Sequence, residues 1–149
     1  MPMNHDRFSL RSAVYSMLIK DGQILLLRRS NTGWMDGWYS LPAGHLDGGE
    51  TVTSATVREA MEETGVEVLQ KDLEVVHVMH RKSTNREYID FFLATTEWNG
   101  VPSVTEPDKS DDVSWFPIDT LPENTVESVR HAIHCYKNGV TFSEFGWDK

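Results

Sequence analysis

Cysteine is nearly absent from this chain of 149 residues: Cys135 is the only one. No intrachain disulfide can form, so a disulfide-stapled secreted scaffold and a Cys-rich zinc site are both excluded. Long apolar runs are also missing. The longest, such as Ile24-Leu25-Leu26-Leu27, are far too short to cross a bilayer. The first residues, Met1-Pro2-Met3-Asn4-His5-Asp6, are polar and lack the apolar core of a signal peptide. A cytoplasmic protein without a membrane partner is therefore expected. Basic residues are scarce too, with 14 Lys+Arg against 23 Asp+Glu and a formal net charge of -9. Duplex nucleic acid is a poor partner for such a chain, because phosphate affinity comes mainly from Lys and Arg. A phosphorylated small molecule remains compatible if divalent cations bridge the two sets of negative charge.

What is present suits one folded domain over residues 1–149. Apolar residues make up 39% and charged residues 25%, ordinary globular usage that argues against wholesale disorder. No repeat, linker or low-complexity tract is visible. Residues 13–20 and 24–27 read as a hairpin around Asp21-Gly22. Leu41 to Gly44 ends a short extended piece, and 73–80, 88–96 and 113–116 read as further strands. A helix is expected over about 52–64, with Thr51 as N-cap and Gly65 just past its end. Val52, Ala55, Thr56, Ala60 and the stem of Met61 form its expected buried stripe. A last helix is expected from near Thr125 to Gly139, with Val126, Val129 and Ile133 on one face. Strands and helices mix without a βαβ rhythm, which points to an α+β or layered α/β/α domain.

The chemistry concentrates between Gly44 and Val66. Glu59, Glu62 and Glu63 stand at i, i+3 and i+4, on one face of the expected helix. Glu59 and Glu63 repel at that spacing unless something compensates. A hard divalent cation with oxygen ligands would do so. The plain alternative is a solvated helix face with an Arg58–Glu62 pair.

The wider spacing separates these alternatives. Gly44 is followed by five residues and Glu50, then seven residues and Arg58-Glu59-Ala60, then Glu62-Glu63 and Gly65-Val66. The chance of matching these fixed identities is about 10⁻⁸ per window. The segment resembles the complete Nudix box. The Arg28-Arg29 strand end and Leu41-Pro42-Ala43 before it, with Trp115-Phe116-Pro117 after it, also resemble that family.

The resemblance implies an α/β/α sandwich with a mixed β-sheet. It also implies a Mg²⁺-dependent hydrolase, with Mn²⁺ as the other family metal. On it, Glu59, Glu62 and Glu63 form the metal-ligand set, Glu59 being the candidate to act instead as general base. The Ala43 carbonyl joins the metal, and Arg58 and Glu50 orient the ligands. Gly44 and Gly65 are expected at sharp turns. A further acid is expected from the loop Glu106-Pro107-Asp108-Lys109-Ser110-Asp111-Asp112, with Asp111 or Asp112 as the choice; a plain acidic loop is the alternative. Arg29 is the candidate phosphate contact, or else a strand-end surface arginine. His45 stands where some relatives carry lysine. Trp34, Trp38 and Tyr39 either stack on a base or pack a loop onto the core, and His80 and Arg81 are candidate cleft residues. His131, His134 and Cys135 read as structural. The expected substrate is a nucleoside diphosphate linked to another group. Motifs of the ADP-ribose, dinucleoside-polyphosphate and coenzyme A branches are missing, which leaves nucleoside triphosphates favoured. A nucleotide-sugar or ADP-ribose hydrolase, a non-catalytic nucleotide sensor and, more distantly, a prenyl-diphosphate-type isomerase are the competing readings. The family also includes many homodimers.

Overall fold

The computed structural model describes residues 7–147, so the polar stretch 1–6 lies outside the described residues. Eight strands run in chain order: β1 Arg11–Lys20, β2 Gln23–Arg29, β3 Tyr39–Ser40, β4 Ala43–His45, β5 Glu74–Lys82, β6 Glu87–Thr95, β7 Ser110–Pro117 and β8 Phe142–Phe145. Two α-helices join them, α1 Val52–Thr64 and α2 Glu127–Lys137. The main path of the sheet is β3-β2-β1-β6-β5-β8, with β4 on β1 and β7 on β2. The β1–β6 and β5–β8 pairs are parallel and the others antiparallel, so the sheet is mixed, as expected.

Strand alternation gives the sheet two apolar faces, each covered by a helix. Met17, Ile24, Leu26, Met79 and Phe92 point to the side covered by α2 through Val126, Val129, Ala132 and Ile133. Leu18 and Leu25 point to the opposite side, where Ala60 of α1 meets Val66 and Val68. All of these side chains are buried.

Helix α1 starts and stops where local chemistry directs. The Thr51 hydroxyl accepts from the Ser54 amide at 3.0 Å, and the Ser54 hydroxyl accepts from the Thr51 amide at 3.1 Å. Gly65 ends it in the left-handed region at φ 78°, its amide donating to the Met61 carbonyl. Three details of the buried stripe differ from expectation, the first being that Val52 is only half-buried. Met61 is 46% exposed, whereas Thr64 is buried and its hydroxyl donates to the Ala60 carbonyl. The stripe therefore runs Ala55, Thr56, Ala60, Thr64, and Met61 falls one step around the helix from it.

Strand β8 has no signal in an alternating apolar pattern of its own. It pairs in parallel with β5, and His77, fully buried on β5, adds bonds to the Val140 carbonyl through Nδ1 at 2.8 Å and the Ser143 hydroxyl through Nε2 at 2.7 Å. This contact links residues 63 and 66 positions apart in the chain.

Candidate active site

Arg58 organises the box. Its guanidinium donates to both carboxylate oxygens of Glu50 at 3.0 and 2.7 Å, and to Glu59 at 2.8 Å and Glu62 at 3.3 Å. The two-point contact with Glu50 fixes the orientation of the arginine. It also holds Glu50 below the usual carboxylate range. Arg58 thus ties Glu50, Glu59 and Glu62 together through one guanidinium.

Glu63 lies deeper. Burial pushes its carboxyl up to about 8, against the Ala43 amide that donates to it at 2.8 Å; the Glu59 and Glu106 charges push the same way. Burial likewise raises Glu59, opposed by Arg58 and reinforced by Glu62 and Glu106. These are desolvated, mutually repelling oxygen donors. Such a set fits a hard divalent cation, whose charge reverses the repulsion. Among the described residues no three acidic or imidazole groups are already drawn into a cage. Glu62 is turned onto Arg58 and Glu63 onto the Ala43 amide. Releasing the long, exposed Glu62–Arg58 contact costs little.

The box glycine has a different role from the expected turn. Gly44 lies in β4 and is not among the positive-φ glycines. It is small because the Glu59 carboxylate occupies the place a Cβ would take. Gly65, by contrast, does sit in the left-handed conformation that favours glycine.

Two adjoining cavities meet along Arg29, Ala43, Gly44 and His45. The first, about 520 Å³, is lined by those residues with Glu63, Glu106, Asp108 and Lys109. The second, about 300 Å³, is walled by Tyr15, Trp34, Arg81, Tyr88, Val126 and Val129, among others. Arg29 lies on the shared wall, tied by Nε to the Trp34 carbonyl at 2.7 Å and by Nη2 to the Thr32 hydroxyl at 2.9 Å. Its guanidinium rests over the Trp34 ring, 4.8 Å from the centroid. His45 also belongs to both cavities, stacked near Tyr88.

Other candidates are placed elsewhere. Asp111 pairs with Arg28 at 2.7 Å. Asp112 accepts from the Tyr39 hydroxyl at 2.6 Å and from Ser114 at 2.8 Å. Neither lines the two cavities, and the acid that faces the box glutamates from this loop is Glu106. The Glu-Pro-Asp-Lys stretch was the available signal for it; strand β7 begins at Ser110 and carries the two aspartates away along β2. Tyr39 is buried edge-on against Phe116, and Trp38 packs partly buried on the core, so the core alternative holds for both. Trp34 is the aromatic of the three that reaches a cavity. His80 is separated from Arg81 by strand alternation. It lies against Trp147, 4.7 Å between ring centroids, and 3.5 Å from Glu87 without hydrogen-bond geometry.

A model of the NUDIX domain matches residues 9–134. The chain belongs to the Nudix family. It is 32% identical over 122 residues to the NAD-capped RNA hydrolase NudC of Pseudomonas aeruginosa, an alignment covering 80% of this chain and 42% of that protein. It is 46% identical over 54 residues to the ADP-ribose pyrophosphatase of Methanocaldococcus jannaschii, covering 36% of this chain and 31% of the relative. The chain thus spans less than half the length of these curated Nudix relatives. Among solved structures, the MutT NUDIX hydrolase of Burkholderia pseudomallei superposes with a TM-score of 0.79 at 26% identity, over 85% of this chain and 98% of that one. No helix among the described residues is long and apolar enough to cross a membrane.

Proposed function

We propose that this Nudix chain is a divalent-metal-dependent pyrophosphohydrolase acting on a nucleoside diphosphate linked to a further group, with a nucleoside triphosphate as the favoured substrate. The observation that carries this reading is the mutual repulsion of Glu59, Glu63 and Glu106, where Glu63 and Glu106 line a cavity whose shared wall holds Arg29 and Glu59 packs against its Gly44. Glu59, Glu62 and Glu63 would hold the metal, with Glu106 closing the site from the opposite loop. When bound, Mg²⁺ or Mn²⁺ supplies charge neutralisation of the diphosphate and a more acidic water.

The remaining work falls to the chain. Arg29 is partly desolvated, burial pulling its guanidinium down while Asp36 and Glu63 hold it charged. It binds a phosphate oxygen of the substrate on the shared wall. Arg58 keeps Glu59 and Glu62 oriented through two of its contacts and anchors itself on Glu50 through the others. One box carboxylate would accept the proton of the attacking water as its oxygen bonds to phosphorus and the P–O bond to the leaving phosphate or pyrophosphate breaks.

A second reading has support in the names of the relatives. Two relatives are named for hydrolysis of NAD-capped RNA and of the pyrophosphate of ADP-ribose. A release assay for phosphate, pyrophosphate and nucleoside monophosphate decides between the readings. Its panel is nucleoside triphosphates, ADP-ribose, NAD and nucleotide sugars, with Mg²⁺ or Mn²⁺. Pyrophosphate release from a triphosphate, lost with EDTA, is the expected result. Turnover confined to ADP-ribose or NAD replaces the substrate, and nucleotide binding without any turnover replaces the enzyme by a sensor.

A further inference from the structure

The box glutamates lie in the last two turns of α1, and the end of that helix is closed by a segment far along the chain. The last four carbonyls of an α-helix have no amide further along the helix to bind. The Gly65 amide serves the Met61 carbonyl. Two of the others are met from the loop between β6 and β7. The Thr105 hydroxyl donates to the Glu62 carbonyl at 2.5 Å, and the Ser103 amide donates to the Thr64 carbonyl at 3.0 Å. Just beyond, Glu67 and Asn99 exchange both backbone hydrogen bonds at 2.9 Å. The approach is close enough to involve Gly65, where a Cβ would stand 3.2 Å from the Thr105 methyl. Thr105 itself is exposed, so its hydrogen bond rather than its burial is what it offers the fold.

The neighbours of this contact decide what it does. Thr105 directly precedes Glu106, the loop acid whose charge bears on Glu59 and Glu63. Its partner is the backbone of Glu62, the remaining box glutamate. One hydroxyl therefore ties the residue beside the loop acid to the main chain of a box acid. On its other side Glu106 enters a tight turn, its carbonyl accepting from the Lys109 and Ser110 amides at 2.8 and 3.0 Å, and β7 follows at once. Its carboxylate is held less closely, with the Lys109 ammonium 3.9 Å away. The backbone is thus fixed on both sides of Glu106 while the carboxylate keeps oxygens to offer a cation. Such fixing is needed because carboxylates that repel one another do not hold themselves together. With the upstream tie cut, that repulsion acts on an exposed loop and drives Glu106 away from the box.

We propose that Thr105 is a positioning residue for the metal site: through its hydroxyl on the Glu62 carbonyl it holds Glu106 where one divalent cation reaches both the loop acid and the box glutamates. This rests on the reading of Glu106 as an acid of the metal site. The test is a titration of the whole chain with Mn²⁺ and no nucleotide, with free Mn²⁺ read by electron paramagnetic resonance. Thr105→Val keeps the shape and loses the hydroxyl, and is expected to weaken Mn²⁺ binding about tenfold. Thr105→Ser keeps the hydroxyl and is expected to bind within about twofold of the parent. Thr105→Ala repeats the loss of the hydroxyl with a smaller side chain, which keeps the test intact if the valine variant does not fold. Glu106→Gln alone is expected to weaken binding about tenfold. Adding Thr105→Val to it should cost nothing more, because the hydroxyl acts through Glu106. Parent-like binding by Thr105→Val, beside weak binding by Glu106→Gln, overturns the proposal and leaves Glu106 in the metal site. A Thr105→Val loss that persists in full in the Glu106→Gln background overturns it, as does Thr105→Ser binding as weakly as Thr105→Val. A lower melting temperature in EDTA with unchanged Mn²⁺ affinity makes Thr105 a helix cap alone and overturns it too. Unchanged binding by Glu106→Gln removes that acid from the metal site, and the proposal with it. The coupled loss of Mn²⁺ binding without turnover of any nucleotide removes the pyrophosphohydrolase and keeps the positioning role.

Discussion

The two cavities share a wall and solve opposite electrostatic problems. On the box side, Glu59 and Glu63 are desolvated close to Glu106, and the only strong contact on the Glu63 carboxylate among the described residues is the neutral Ala43 amide. On the other side, Arg81 and Asp90 are buried together and cancel at 2.6 Å. The first arrangement has unspent attraction for a cation. The second has spent its charge within the protein and retains only directional N–H donors. The contrast places an uncompensated acidic cluster and a neutralised ion pair on either side of one wall. The difference lies in whether each buried charge finds its partner inside the fold.

The strongest way to break this contrast is to remove charge from the uncompensated side. Glu63→Gln should lower metal-dependent hydrolysis by about 10²-fold or more while the protein stays folded. The same variant should change the pH dependence of stability. The Glu63 pKa is raised in the folded protein, to about 8 from 4.5. Between those values the folded state holds a proton that the unfolded state has lost. The metal-free protein should therefore lose stability as pH rises through that window and level off above it. Thermal melts with EDTA across the window should show that slope in the parent and a flatter one in Glu63→Gln. An unchanged slope would mean that Glu63 is not the titrating group.

Gly44→Ala comes next. A methyl group there displaces the Glu59 carboxylate, and a shift of that size should cost about 10²-fold in kcat. Circular dichroism should still report a folded chain; full activity would show that Glu59 can move without consequence. The loop acids sharpen the comparison at a smaller scale. Glu106→Gln should raise the Mg²⁺ concentration needed for half-maximal activity by about tenfold. Asp111→Asn should leave it unchanged, because Asp111 is engaged with Arg28 in an exposed pair that contributes little to stability. The reverse ranking would return the metal role to Asp111. The smallest effect is expected far from either cavity. Thr51→Ala removes the N-cap hydroxyl and should cost about 1 kcal/mol in a denaturant melt, with kcat little changed.

Legibility followed the range of the interactions. Helix α1, its caps and the box carboxylates lie within one continuous segment, and a helix fixes which of its residues share a face. The hairpin β1–β2 was equally readable, since Asp21 and Gly22 adopt the positive φ its turn demands. Strand β8 was not, because the His77 contacts that hold it come from a distant strand. Met61 was misplaced for a smaller reason of the same kind. A helix pattern defines a face, but the sheet behind it decides how wide the buried part of that face is.

The sequence by itself determined the box, its spacing, the helix carrying three glutamates and the shortage of basic charge. These depend on residue types and on contacts a few positions apart. The tertiary structure decided which acid of the 106–112 loop faces the glutamates and which aromatic reaches a cavity. It also decided that Gly44 makes room for Glu59, and that Arg81 meets a buried Asp90. Each of those outcomes depends on strand alternation and on the register between segments far apart in the chain. A shift of one residue in either would exchange the buried side chain for its exposed neighbour.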